Sequence, residues 1–453
     1  MRRISSFAGI SAISVLIAAC GGGSTTPTAP PTTVSPTTAP SPATTATIAD
    51  GAGASGNTIA ASAPQSAFKR ELPLDDVVSS ALADLDGYWG KVMPEVYGTS
   101  WQPISGGFYP YTSHSAVPPC PGVRVYADIA ENAFYCPAAD LVAWDDEALM
   151  PGLQERYGDF TLAIVMAHEI GHAVQSRVEF AASKTVTREQ QADCFAGGWV
   201  ASVANGHSTS FRVTLDDLDA AVAGFLVLRD RPGSSPLTPG AHGSAFDRIG
   251  SFQDGYEKGA RACAAYTDEN VAKRLVQIPY NSATDELQGG NMAWESVLPA
   301  VSGDLESFWS AVFAQYGRQW VPFDVTTRAD PTLARKLYVD IGDFAAATLI
   351  GRAYASTVQE RLNEPGTALQ QSVQADCLTG AWAASMFLQD RPDSRLKMSP
   401  GDLDKAVMAL LVSGDSANAV KAGTATVGTP FQRVRALRSG FMEGLAECGK
   451  ITA

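Results

Sequence analysis

The chain has 453 residues, 45% hydrophobic and only 18% charged, enough for two ordinary domains with cores of their own. Against 33 Lys and Arg stand 47 Asp and Glu, and the net charge of −14 argues against nucleic acid as a partner. The five histidines are His114, His168, His172, His207 and His242, so any imidazole chemistry sits in the first half.

Arg2 and Arg3 precede an apolar run, Ile10 to Ala19, that is too short for a permanent membrane span, and residues 1–19 read as an export signal. Ile17-Ala18-Ala19-Cys20-Gly21 is similar to the lipobox of bacterial lipoproteins, which implies lipidation of Cys20 and an extracytoplasmic place in the bacterial cell envelope, held to a membrane by acyl chains. Residues 20–67 are Thr, Ser, Pro, Ala and Gly with one charge, Asp50, and are expected to form a disordered tether. Roughly 45 residues of such chain reach on the order of 35 to 40 Å.

A first domain is expected over residues 68–266. Val77, Val78, Leu82, Leu85, Tyr88 and Trp89 recur at helical spacing and mark a buried face. Val123 to Ile129 and Ala133 to Cys136 alternate around Glu131-Asn132 like a hairpin, and Leu141 to Trp144 reads as a further short strand. Such strands beside a cleft can pair with an extended peptide. After Gly158 the pattern is helical, over 159–178, 188–204, 215–229 and 244–262. The expected fold class is α+β and predominantly helical, with a small β element in the first domain and a mostly α second one.

The segment Thr161 to Val174 is apolar nearly all round and carries His168-Glu169-Ile170-Gly171-His172. Histidines four apart lie on one helical face and can share a metal ion, with Glu169 placed to take a proton from a water on that metal. The next helix offers Glu189 and, one turn on, Asp193. Glu189 completes a His2Glu zinc site with one position open, and Asp193 is expected to hold the far nitrogen of a liganding histidine, His168 by preference.

The chain repeats itself. Gly158-Asp159-Phe160 matches Gly342-Asp343-Phe344, Gln191-Ala192-Asp193-Cys194 matches Gln374-Ala375-Asp376-Cys377, and Phe246, Arg248, Gly255 and Cys263 match Phe431, Arg433, Gly440 and Cys448. Asp217-Leu218-Asp219 likewise matches Asp402-Leu403-Asp404. A tandem duplication follows, with a linker over 267–290 and a degenerate copy over 291–453. Where the first copy has His168, Glu169, His172, Glu189 and His242, the second has Arg352, Ala353, Ser356, Ser372 and Val427. Residues lost together are the chemistry and those kept are the scaffold; one Zn2+ per chain is expected. Asp193 persists as Asp376, so it also has a structural task, as an anchor between the two helices. His242 disappears in step with the ligands and is expected to stabilise the oxyanion opposite the metal, the alternative being a histidine that caps the following helix or sits on the surface.

HEIGHAVQ at 168–175, EQQADCFAGGW at 189–199 and AHGSAFDRIGSFQDGYEKG at 241–259 resemble the neutral zinc metallopeptidase family of bacteria, a gluzincin-like group, as does Ala133-Phe134-Tyr135-Cys136-Pro137-Ala138. The resemblance covers roughly Leu74 to Cys263. It implies a zincin-like peptidase domain with His168, His172 and Glu189 as ligands and Glu169 as base. It implies little about substrates beyond a protein or peptide.

Of the seven cysteines, Cys20 is set aside for lipid. Cys120 and Cys136 lie in a segment the second copy lacks and are expected to pair, while Cys194 with Cys263 and Cys377 with Cys448 occupy equivalent positions and are expected to bridge within their own copies. Cys194 as a zinc ligand is the weaker reading, since Cys377 persists without a ligand set. Two functions fit: a zinc endopeptidase of the envelope, or a non-catalytic lipoprotein with a structural metal site. The intact Glu169 and an open fourth position favour the first. The second copy is left to stabilise the chain or to meet a protein partner.

Overall fold

The computed structural model describes residues 73–449 apart from positions 236, 239, 392, 393 and 395; the expected export signal, Cys20 and the tether lie outside the described residues. Among the described residues no helix is long and apolar enough to cross a membrane. The fold is α+β and predominantly helical, as expected, with one three-stranded sheet.

Helix α1 (Leu74–Tyr97) buries Val77, Val78, Ala81, Leu82, Leu85, Trp89 and Met93 on one face. It stops at Gly98, whose φ of 71° lets its N–H close on the Pro94 carbonyl. Strands β1 (Gly107–Tyr111), β2 (Ala133–Cys136) and β3 (Leu141–Asp145) follow in the spatial order β1-β3-β2, with β1 parallel and β2 antiparallel to β3. This corrects the hairpin expected between Val123–Ile129 and Ala133–Cys136. The first of those segments turns through a 3-10 helix at Tyr126–Asp128, where the Asp128 carboxylate accepts from the N–H groups of Arg124 and Val125. Its donors are thus satisfied locally and need no neighbouring strand. The hairpin partner of β2 is β3, and β1 is an additional strand at the sheet edge, where Pro110 costs no ladder bond.

The sheet separates two layers. Ala133, Tyr135, Val142 and Trp144 face the helical core, whereas Tyr111, Phe134, Cys136, Leu141 and Ala143 face a small outer cluster with Cys120 and Ile129. Five helices complete this half: α2 (Leu149–Tyr157), α3 (Asp159–Arg177), α4 (Thr185–Ala204), α5 (Leu215–Val227) and α6 (Ala245–Lys258). The last stops short of the expected residue 262 because Gly259 takes a φ of 74°, and a helical turn, Ala260–Ala264, then carries Cys263. The segment 267–290 holds two more turns, Asp268–Ala272 and Ala283–Leu287.

Beyond it lie α7 (Trp294–Gln315), α8 (Pro331–Asp340), α9 (Asp343–Leu362), α10 (Ala368–Leu388), α11 (Asp402–Val412) and α12 (Pro430–Glu443). Contacts recur between the halves at matching positions. Trp199 Nε1 donates to Asp84 at 2.8 Å and Trp382 Nε1 to Asp304 at 2.8 Å. Phe160 stacks on Trp199 as Phe344 does on Trp382. Apolar residues of both halves join one continuous core. Disulfides link Cys120–Cys136, Cys194–Cys263 and Cys377–Cys448, the three expected pairs.

Helices α4 and α6 touch backbone to backbone, because a Cβ on Gly255 would lie 1.8 Å from the Cys194 carbonyl oxygen and one on Gly197 1.9 Å from that of Phe252. Gly440 and Gly380 do the same for α12 and α10, at 1.8 and 1.9 Å. Gly255→Ala is therefore expected to destabilise the chain by about 3 kcal/mol or more in urea unfolding, since neither backbone can retreat without repacking the core. Gly87→Ala, in α1 with nothing within 4 Å, should be neutral or stabilising by up to about 1 kcal/mol. Equal, small effects at both positions would contradict this packing.

Candidate metal centre

Helix α3 is buried along nearly its whole length, and besides Thr161 and Gln175 the polar side chains it buries are those of the motif. His168 Nε2 lies 3.1 Å from His172 Nε2 and 3.1 Å from Glu189 Oε2, and His172 Nε2 lies 3.5 Å from Glu189 Oε1. One ligand atom from each of His168, His172 and Glu189 thus falls within 4.8 Å of the others. Two donors at zinc distances of ~2.05 Å in a tetrahedron stand about 3.3 Å apart, close to the spacing of these nitrogens. Glu189 Oε1 is fully buried with no hydrogen-bond partner, which is the state expected of an atom reserved for a cation. The donor set fits zinc.

The electrostatics agree. Burial works against a charged His168, yet the Asp193 and Glu189 carboxylates outweigh it and push the imidazole up to about 10. Burial would raise Glu189, but His172, His242 and His168 hold it well below the usual carboxylate range. The junction calls for positive charge, which a divalent cation supplies without protons.

Asp193 Oδ1 meets His168 Nδ1 at 2.8 Å, as expected, so Nε2 is the nitrogen turned to the metal position. That contact anchors α3 to α4 as expected, and Asp193 has a second structural task toward α6. It is a bidentate pair with Arg248 on α6, Nε to Oδ2 at 2.9 Å and Nη2 to Oδ1 at 2.8 Å. Asp376 pairs with Arg433 in the same way, at 2.9 and 3.3 Å, which accounts for its persistence without a histidine. Arg352, at the position matching His168, places Nε 2.6 Å from Asp376 Oδ1 and donates from Nη2 to Ser372 Oγ at 2.6 Å. A guanidinium therefore spans the groups that match Asp193 and Glu189, and fixed positive charge fills the second half's counterpart of the centre.

Glu169 is buried, and its Oε2 accepts from the Tyr135 N–H of β2 at 2.9 Å. Burial is the main cause that raises its pKa above the ordinary value. His242 lies in the loop before α6 and lines a partly open cavity together with His168 and Glu169. Its Nδ1 lies 3.3 Å from Asp230 Oδ1, while Asp230 Oδ2 accepts from the N–H groups of His242 and Gly243 at 2.9 and 2.8 Å.

Two residues escaped the sequence reading. Gln175 Oε1 accepts from His172 Nδ1 at 3.1 Å, and its Nε2 donates to the Arg188 carbonyl at 2.6 Å. Its match Gln359 makes the corresponding bond to Gln371, so the repeat contained the signal without revealing the contact. Asp230 matches Asp415, which accepts from the N–H groups of Thr426, Val427 and Gly428. Cys194, bonded to Cys263, is no ligand.

Residues 43–266 match the model of a family described as "Putative neutral zinc metallopeptidase". The chain is 31% identical over 154 residues to the Escherichia coli (strain K12) protein "Uncharacterized protein YpfJ", covering 28% of this chain and 50% of that one. It is 32% identical over 152 residues to "Uncharacterized protein Mb2605" of Mycobacterium bovis, covering 28% of this chain and 52% of that one. The chain thus spans about half the length of the curated relatives it matches. No solved structure matches.

Proposed function

We propose that this chain is a zinc-dependent peptidase of the bacterial cell envelope, tethered through a lipidated Cys20, in which residues 68–266 carry the reaction and residues 291–453 are a degenerate, non-catalytic copy. The observation that carries the reading is the convergence of His168, His172 and Glu189 on one point beside the buried carboxylate of Glu169. Three protein donors leave a fourth position for water, whereas a structural zinc is normally closed by four.

Zinc, when bound, polarises a carbonyl and lowers the pKa of its water to roughly 7. Glu169 takes the proton of the attacking water and hands it to the leaving amine nitrogen. The Tyr135 N–H holds that carboxylate in place. His242, with Nδ1 engaged by Asp230, donates from Nε2 to the charge growing on the substrate oxygen. Strand β2 supplies a binding edge: Asn132 turns its carbonyl to Asp145 of β3 and Tyr135 turns its N–H to Glu169, so alternation leaves the Ala133 backbone on the outer edge for an extended peptide. Ile164, Val165, Ala221, Phe225 and Leu228 line the adjoining cavity, which supports cleavage next to apolar residues.

Metal analysis of the purified full chain, beside digestion of an unbiased peptide library, tests this reading. One zinc per chain and hydrolysis that a chelator stops and zinc restores are expected, with both lost when His168 and His172 are changed to Ala. Two zincs per chain, or zinc without hydrolysis of any peptide, would count against it, the latter leaving a structural metal site.

A further inference from the structure

The halves meet through α5 and α6 on one side and α11 and α12 on the other, and their contacts are reciprocal. Asp404 of α11 accepts from the Phe246 N–H at the start of α6 at 3.1 Å, and Asp219 of α5 accepts from the Phe431 N–H at the start of α12 at 2.8 Å. Phe246 packs edge-on against Phe441 with centroids 5.2 Å apart, and Phe431 against Tyr256 at 5.3 Å. Each contact maps onto the other when the halves are exchanged, which is the signature of a twofold, self-complementary interface. Both capping carboxylates are buried.

The symmetry is not complete: the ion pairs Arg438–Asp254 and Arg435–Glu257 cross the interface without a counterpart, and a further break lies beside the metal centre. Asp404 Oδ2 also lies 3.1 Å from Nε of Arg229, whereas the residue matching Arg229 in the second half is Gly414. Arg229 precedes Asp230, which holds His242, and Phe246 closes the same loop two residues before Arg248, which holds Asp193 and through it His168. One carboxylate from the second half thus grips both ends of the 229–246 segment.

We propose that the second half, in which Arg352, Ser356 and Ser372 stand where the first has its three metal-binding side chains, acts as a fixed twofold partner whose Asp404 positions the His242 loop, so that the catalytic centre is complete only with both halves. Asp404 is a positioning residue and touches no substrate. The effect on turnover rests on the peptidase reading; the effect on the loop does not.

The mirror carboxylate is the control. In the full chain, Asp404→Ala should lower kcat on a peptide substrate about tenfold or more with KM and zinc content nearly unchanged. Asp404→Asn, whose side-chain oxygen can still accept from Phe246 but which leaves Arg229 without its carboxylate, should give a kcat between those of the wild type and Asp404→Ala. Asp219→Ala removes the equivalent cap and should leave kcat within about twofold. Amide hydrogen exchange gives the second readout: Asp404→Ala should speed exchange over 229–248, and Asp219→Ala over 414–433 instead. Wild-type kcat in Asp404→Ala, equal losses in the two alanine variants, or unchanged exchange over 229–248 would overturn the proposal. If the wild type cleaves no peptide, the peptidase reading fails and the exchange data alone decide this one.

Discussion

Glu169→Gln is expected to lower kcat by roughly a thousandfold or more, within or above the range set by general-base catalysis, while the chain keeps its fold and its zinc. The substitution preserves shape, and a carboxamide oxygen can still accept from the Tyr135 N–H that now bonds Oε2. What it removes is the ability to take a proton from water and release it to the leaving amine. The carboxylate sits buried against the edge of β2, so no neighbouring solvent can substitute for it as a base. Zinc content measured beside turnover separates the outcomes: full turnover in this variant would place the base elsewhere, and loss of zinc would mean that Glu169 supports the ligands rather than the reaction.

The centre was legible because metal chemistry fixes residue type and spacing at once. His168 and His172 four apart on a helix must share a face, and Glu189 with Asp193 repeats the geometry on the next helix. The second half supplied the internal comparison, and the correlated loss of five residues told ligands from scaffold. Sequence alone did not reveal what replaced them. That Arg352 lies between Asp376 and Ser372 depends on how far a guanidinium reaches, which spacing does not encode.

The strands were harder. The run Val123 to Ile129 alternates as a strand would, but an aspartate five residues into it captures its backbone donors, and local side-chain bonds outcompeted the ladder. Strand β1 pairs with residues 34 positions further on, Gly107 with Leu141, and no local pattern announces a parallel partner at that distance. The caps from Asp219 and Asp404 were invisible for a related reason. Both matched in the repeat, yet their partners are backbone N–H groups of the opposite half, and a backbone donor leaves no mark in the sequence.

His242→Ala should lower turnover on the order of a hundredfold, with zinc affinity nearly unchanged. The loop that holds the imidazole does not depend on it. In the second half Asp415 gathers the N–H groups of Thr426, Val427 and Gly428 as Asp230 gathers those of His242 and Gly243, with a valine where the histidine would be. The backbone should therefore keep its course in the alanine variant, and His242→Val offers a replacement that the fold already accepts at the matching position. Lost turnover then reports the imidazole and not a collapsed loop. The loss should fall on kcat more than on KM, because a donor aimed at the growing charge binds the transition state better than the substrate carbonyl. Asp230→Asn supplies the converse: it keeps one oxygen for the backbone N–H groups but weakens the hold on Nδ1, so turnover should fall between that of the wild type and that of His242→Ala. Unchanged turnover in His242→Ala, or zinc lost along with activity, would remove His242 from the reaction.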